Sequence, residues 1–251
     1  MKNHLYIITG ASRGMGLGIA QALLKPGNQL LCISRKTNDA LAQSAIASGV
    51  SLEQWPLDLS HGEAVSAQLH QWLSAQSATP FASVTLINNA AILPPVSPLR
   101  DVPYAAIASC LRIGLEAPMQ LTAAFLNATQ DWAAPRKVLN ISSGNGRRAM
   151  GSQASYSAAK AGMDHYSRCV AIEELLKPNG AKICSLAPGV IDTDMQTHLR
   201  DADPNAFPDH GMFLKLQSEG ALLSPQDAGI RVLAYLNRVD FGTHPVADVR
   251  D

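Results

Sequence analysis

A tyrosine and a lysine stand four residues apart in the stretch Tyr156-Ser-Ala-Ala-Lys160. On a helix that spacing puts both side chains on one face. A phenol ordinarily gives up its proton at about pH 10, and a nearby cation favours the phenolate and lowers that value. Such a pair can give or take a proton near neutral pH. Chance also produces Tyr-x-x-x-Lys, and a half-buried tyrosine beside an exposed lysine is the plain structural alternative. The surrounding elements decide between the two.

A second chemical feature lies near the start. Leu5-Tyr-Ile-Ile8 is an apolar run that reads as a buried strand, and it leads into Gly10-Ala-Ser-Arg-Gly14-Met-Gly16 and then an apolar helical pattern to Leu24. Glycines between a strand and a helix let the backbone approach a phosphate. The helix N-terminus adds free N–H groups and partial positive charge. The spacing G-x-x-x-G-x-G differs from the more familiar dinucleotide pattern, and a tight turn alone is the alternative. Gln29 to Ile33 reads as a second strand. It is followed by Ser34-Arg35-Lys36, where a ribose-binding acid would stand in an NAD site. Arg35, with Arg13 in the glycine loop, instead suits a 2′-phosphate and points to NADP(H).

The other chemistry-bearing positions follow further apolar runs. Val50–Leu57 precedes Asp58-Leu59, where the acid could meet an adenine amino group or cap the next helix; Asp58 or Ser60 would be that cap. Val84–Ile87 precedes Asn88-Asn89-Ala90-Ala91, with asparagines able to tie neighbouring strands. Lys137–Ile141 precedes Ser142-Ser143, and Ala181–Leu186 precedes Pro188-Gly189. Asn145, Met150 and Gln153 lie between Ser143 and Tyr156 and are candidate substrate contacts, with Met150 equally at home in a core. Tyr104 to Phe125 carries helical spacing interrupted by Pro118, which on local rules ends or kinks the helix. Residues 194–220 mix charges with Phe207, Met212, Phe213 and Leu214. They read as a substrate lid or an ordinary surface helix pair. Ser224-Pro225 opens a final helix to about Leu236, and Val246–Val249 is a short last strand.

Alternating strands and helices without a boundary or repeat predict an α/β fold. It is a single domain over 1–251, a Rossmann-type doubly wound parallel sheet of about seven strands with helices on both faces. Ligands in such sheets sit beyond the strands' carboxyl ends, where every feature singled out above falls.

Bulk properties agree. The 251 residues are 47% hydrophobic and 16% charged, which argues against disorder. Twenty basic residues balance twenty acidic ones, which argues against a dedicated partner in nucleic acid or an anionic membrane. Cys32, Cys110, Cys169 and Cys184 are widely spaced and read as buried reduced thiols of a cytoplasmic protein. The first five residues lack a signal-peptide core, and no apolar run reaches membrane-spanning length. The seven histidines have no metal-ligand spacing, and Asp192 and Asp194 read as a loop contact and a helix cap, so no metal is expected.

Taken together, Thr9-Gly-Ala-Ser-Arg-Gly-Met-Gly16, Asn88-Asn-Ala90, Ser143, Tyr156-x-x-x-Lys160 and Pro188-Gly189 with Thr193 resemble the classical short-chain dehydrogenase/reductase family, in order and spacing over almost the whole chain. Residues 188–196, 213–216 and 220–225 resemble its sepiapterin reductase-like branch, and within it the benzil reductases that form (S)-benzoin. The resemblance implies an NADPH-dependent reductase of a hydrophobic ketone or α-diketone. Tyr156 would be the general acid. Lys160 would lower its pKa and hold the nicotinamide ribose, and Ser143 would bind the substrate carbonyl. Gly10, Ser12, Arg13, Gly14 and Met15 would line the pyrophosphate and adenosine, with Ser34 and Arg35 on the 2′-phosphate. Asp58 and Leu59 would hold the adenine, and Asn89 and Ala90 the nearby ribose. Pro188, Gly189, Ile191, Thr193 and Met195 would lie along the nicotinamide. Pterin or 3-oxoacyl reduction, alcohol oxidation, or an NADP-binding sensor without turnover are the rival readings. Two departures stand out: Gly114 falls where the family usually has an asparagine, and Ala91 replaces a common glycine. The resemblance further implies a helix that continues, kinked, through Pro118, and a homodimer or homotetramer through helices 104–125 and 155–176.

Overall fold

In the computed structural model, residues 3–76 and 81–251 are described; Met1 and Lys2 of the N-terminal stretch lie outside them. Seven strands form one parallel sheet: β1 (Asn3–Thr9), β2 (Asn28–Ser34), β3 (Ser51–Pro56), β4 (Phe81–Asn88), β5 (Arg136–Ile141), β6 (Lys182–Ala187) and β7 (Val246–Asp248). The strand order is β3-β2-β1-β4-β5-β6-β7, so the direction of winding reverses between β1 and β4. That reversal opens a crevice above the strand ends, the usual seat of a ligand in this architecture.

Strand alternation builds a core on each face. Tyr6, Ile8, Leu30 and Cys32 join one cluster with Ile19, Val232 and Leu236. Leu5, Ile7, Leu31 and Ile33 join the other with Leu69, Leu121 and Phe125. Successive residues of a strand point to opposite faces, so a continuously apolar run is what a sheet covered twice requires. One layer holds α1 (Gly14–Ala22), α2 (Asp39–Ala47) and α9 (Pro225–Leu236). The other holds α3 (Gly62–Ser74), α4 (Tyr104–Leu111), α5 (Ala117–Ala128) and α6 (Ala154–Leu175). Ser224 caps α9, accepting from the Asp227 N–H, and Asn38 caps α2, accepting from the Leu41 N–H.

Some local expectations needed correction. Asp58 caps a short 3₁₀ turn over Leu59–His61 by accepting from the Ser60 N–H at 2.8 Å, and α3 begins behind His61. Neither Asp58 nor Ser60 caps α3 itself. Cys169 is exposed on α6, whereas Cys32, Cys110 and Cys184 are buried; all four are free. Its place on the outer face of α6, rather than the apolarity of its neighbours, sets its exposure. Pro118 does not break its helix. A π turn over Arg112–Glu116 joins α4 to α5, and Pro118 follows in the first turn of α5. Proline has no N–H for the carbonyl four residues back, which is that of Gly114, and its ring crowds that carbonyl. The wider π turn takes up the misfit.

Residues 194–220 form α7 (Asp194–Arg200) and α8 (His210–Ser218). They enclose a small core of their own, in which Leu199, Phe207 and Phe213 pack with Met150.

Candidate active site

The glycine loop joins β1 to α1. Gly10 has φ +70°, a left-handed conformation that glycine adopts without strain. A Cβ at Gly16 would lie 2.3 Å from the Gly10 carbonyl oxygen and 2.4 Å from Asn89 Nδ2, so only hydrogen can occupy that side. Asn89 locks the loop to β4: its Nδ2 donates to the Thr9 carbonyl at 2.9 Å, and its N–H donates to Thr9 Oγ1 at 2.9 Å. Asn88 Nδ2 donates to Asn140 Oδ1 at 2.8 Å and ties β4 to β5. The asparagines therefore stitch three strand ends together.

Ser143 follows β5 and Tyr156 opens α6. Ser143 Oγ accepts from the Asn145 N–H at 3.2 Å. Lys160 is buried, and its ammonium donates to the Ile141 carbonyl at 2.7 Å and stands 5.7 Å from the Tyr156 ring centre. Helical spacing thus brings the pair together on one face. Burial pushes the Tyr156 phenol up to about 12, with the Ser143 hydroxyl pulling the other way. Burial likewise lowers Lys160 to about 8, against the raising effects of Cys110 and Asp164. The lowering of the phenol that the spacing of Tyr156 and Lys160 led one to expect does not appear: taking each group out of water disfavours its charged form.

A carboxylate not singled out from the sequence underpins this corner. Asp164 is buried one turn beyond Lys160. Its Oδ1 accepts from Ser142 Oγ at 2.6 Å and from Ser185 Oγ at 2.7 Å, and Arg147 Nε lies 3.4 Å from Oδ2. Arg147 also donates to the Ala247 carbonyl of β7 at 2.6 Å. One carboxylate thereby joins α6, β6 and the loop that carries Ser143.

The glycine loop, Asn89, Ser142, Ser143, Tyr156 and Lys160 border one cleft of about 1230 Å³, with Asp164 and Arg147 behind its wall. Gly10, Ser12, Arg13, Gly14, Met15, Ser34, Arg35, Asp58, Leu59, Asn89 and Ala90 line its first half. Ser143, Asn145, Met150, Gln153, Tyr156 and Lys160 line the second, with Pro188, Gly189, Ile191, Thr193 and Met195 between the glycine loop and the covering helices. The cradle at Gly16 fits a pyrophosphate approached by backbone. Ser34 Oγ is buried at the end of β2 without a hydrogen-bond partner, and Arg35 and Asp58 stand beside it at the rim. A hydroxyl or phosphate oxygen of a nucleotide would complete it, so the residues fit a dinucleotide. Arg13 is ion-paired with Asp194, the first residue of α7. Asp194 is therefore a loop contact, and Thr193 holds the cap position.

The cleft also has walls that the sequence did not announce. Leu93, Leu199, Phe213 and Leu216 add apolar surface to its second half, around Met150, and Arg148 stands at its edge. Leu216 lies four residues after Met212 and three after Phe213, and that spacing was the available signal that one helix face looks inward. Among the described residues no group of three or more His, Cys, Asp or Glu could hold a metal, and no helix is long and apolar enough to cross a membrane.

Comparison with known proteins places this geometry. Residues 4–204 match the family model for short chain dehydrogenase. The chain is 34% identical over 220 residues to the benzil reductase ((S)-benzoin forming) of Bacillus cereus, covering 88% of each chain. It is 30% identical over 234 residues to that of Bacillus subtilis (strain 168), covering 93% of each. Two solved structures share the fold. A 3-oxoacyl-[acyl-carrier protein] reductase from Brucella melitensis in complex with NAD has a TM-score of 0.78 at 20% identity, over 99% of this chain and 96% of that one. A metagenomic short-chain oxidoreductase in complex with NADP has a TM-score of 0.72 at 24% identity, over 98% and 94%. The parallel sheet, the cleft at its switch point and these likenesses agree: the chain belongs to the short-chain dehydrogenase/reductase family and is an oxidoreductase acting on the CH–OH/C=O couple.

Proposed function

We propose that the protein is an NADPH-dependent carbonyl reductase whose substrates are hydrophobic ketones, α-diketones of the benzil type foremost. The observation that carries this reading is the shared cleft. It sets a proton-bearing Tyr156, a Ser143 hydroxyl and the Lys160 ammonium at the junction of a dinucleotide-shaped half and an apolar half. Ser143 donates to the carbonyl oxygen and orients it. Tyr156 carries its proton at neutral pH and gives it to the same oxygen as negative charge develops there. Lys160 supplies a buried positive charge beside the phenolate that results. When bound, NADPH supplies the hydride. Its 2′-phosphate would be held by Ser34, Arg35 and Arg13, the last exchanging Asp194 for the phosphate, and its pyrophosphate by residues 10–15. Helices α7 and α8 act as the lid that keeps water from the reacting carbonyl. Tyr104, Met119 and Ile172, exposed on α4, α5 and α6, suit a homodimer or homotetramer contact, and three buried free thiols suit the cytoplasm.

Purified protein mixed with NADPH and benzil should consume the absorbance of the reduced nicotinamide. Tyr156→Phe should lower kcat by about 10²- to 10⁴-fold with NADPH binding intact. NADPH binding without turnover of any ketone or diketone would favour a sensor, and full activity in Tyr156→Phe would sink the proton assignment.

A further inference from the structure

The wall beside Ser143 and Tyr156 holds a polar pair, Asn145 and Gln153, packed against Met150. Gln153 is 2% exposed and stands one helical turn before Tyr156. Its Oε1 accepts from Asn145 Nδ2 at 2.8 Å. Its own amide nitrogen meets only a thioether, Met150 Sδ at 3.1 Å, which is a weak acceptor. Asn145 Nδ2 is 3.7 Å from the same sulfur. A buried amide that donates to sulfur alone keeps much of its desolvation cost. The backbone is bent to keep it there. Ser152, the residue before, has φ +60°, the one positive-φ residue other than glycine among the described residues, and its hydroxyl donates to the Ala206 carbonyl ahead of α8. Non-glycine residues in that conformation cost energy and cluster at functional sites.

Position gives the pair its meaning. Asn145 is linked through its backbone N–H to Ser143 Oγ and through its side chain to Gln153. Ser143 and Gln153 are thus both tied to Asn145, and all three border the same cleft. We propose that Asn145 and Gln153 form a second-oxygen subsite, which accepts carbonyl substrates bearing another hydrogen-bond acceptor on the adjacent carbon: α-diketones and α-hydroxyketones rather than simple ketones. This rests on the reductase reading of the site and names its substrate class. In such a substrate the reacting oxygen takes Ser143 and Tyr156, the neighbouring oxygen takes the Gln153 and Asn145 amide donors, and the flanking groups lie against Leu93, Leu199 and Phe213. A site that hydrogen-bonds a substrate group discriminates strongly against the analogue lacking it, because its own buried donors are then left unpaired.

The test compares benzil with deoxybenzoin, which has the same two phenyl groups and only one carbonyl. The wild-type protein should prefer benzil in kcat/KM. Gln153→Met, close to glutamine in size, and Asn145→Leu should each lower kcat/KM for benzil by about 10- to 100-fold more than for deoxybenzoin. Asn145 lies on a partly exposed turn, so Asn145→Leu carries the test if Gln153→Met fails to fold. NADPH affinity and Tm check that each variant is intact. Equal losses on both ketones, or no loss on benzil, would overturn the subsite while leaving the reductase reading in place. A wild-type protein inert toward both ketones would overturn the reductase reading and the subsite with it.

Discussion

Lys160→Met should flatten the dependence of stability on alkaline pH. Lys160 carries its charge in a fully buried position, with one carbonyl partner, that of Ile141 at 2.7 Å. Its folded-state value is lowered from 10.5 to about 8. Between those two values the unfolded chain binds a proton that the folded chain has lost, so stability rises with pH across that window. Below about pH 8 the whole penalty is present, on the order of 3 kcal/mol. From pH 7.5 to 9.5 the wild-type protein should recover about 2 kcal/mol of it, or roughly 4–8 °C in Tm for a chain of this size. Lys160→Met has no such term. It does orphan the Ile141 carbonyl at a cost of about 1–3 kcal/mol, but that cost is the same at every pH. Tyrosines and cysteines away from Lys160 are common to both proteins and drop out of the comparison; Cys110, which is coupled to Lys160, is removed by measuring both proteins on a Cys110→Ala background. The assay is Tm by scanning fluorimetry at matched ionic strength from pH 7 to 9.5. Parallel curves for the two proteins would refute the buried-charge account of Lys160.

Three further outcomes follow from the geometry. Arg35→Asp should weaken NADPH by about 10- to 100-fold while changing NADH far less; fluorescence titration giving equal effects on both would exclude a 2′-phosphate contact. A Cβ at Gly18 would lie 2.1 Å from the Pro225 carbonyl oxygen, so Gly18→Ala must push α1 from α9, with a loss of about 1–3 kcal/mol in urea unfolding; an unchanged midpoint would show that the helices separate freely. Asp164→Leu leaves Arg147 and two serine hydroxyls without their shared acceptor, and should cost about 3–5 kcal/mol; wild-type Tm and kcat together would show that the carboxylate does not hold the Ser143 loop.

The parts legible in the sequence were those where one local rule decides. Apolar runs ending in small or polar residues marked the strands and their carboxyl ends. The glycine spacing marked the loop, and the i, i+4 spacing paired Tyr156 with Lys160. Parts set by packing were not legible. Asp164 has the same helical spacing from Lys160 as Lys160 has from Tyr156, yet its importance comes from Ser185 and Arg147, which only the folded chain brings near. The cap of α3 was misread because Asp58 spends its carboxylate on the Ser60 N–H of a 3₁₀ turn that intervenes. Pro118 looked like a helix end because the compensating π turn leaves no residue pattern of its own. The covering pair α7 and α8 is too short for strong periodicity, and its apolar residues divide between its own core and the cleft lining.

That covering pair has a separate core built around Phe207, and Met150 is the one buried member supplied from outside it. A unit with a core of its own should open more readily than the sheet beneath it. Its amide hydrogens should exchange with solvent long before those of β1 or β4 do. The same independence shapes its history. Some thirty residues can change size, polarity and reach without disturbing the two large clusters that keep the nucleotide half in register. New specificity can therefore arise on an unaltered chassis, by editing a patch whose failure to pack would not unfold the rest.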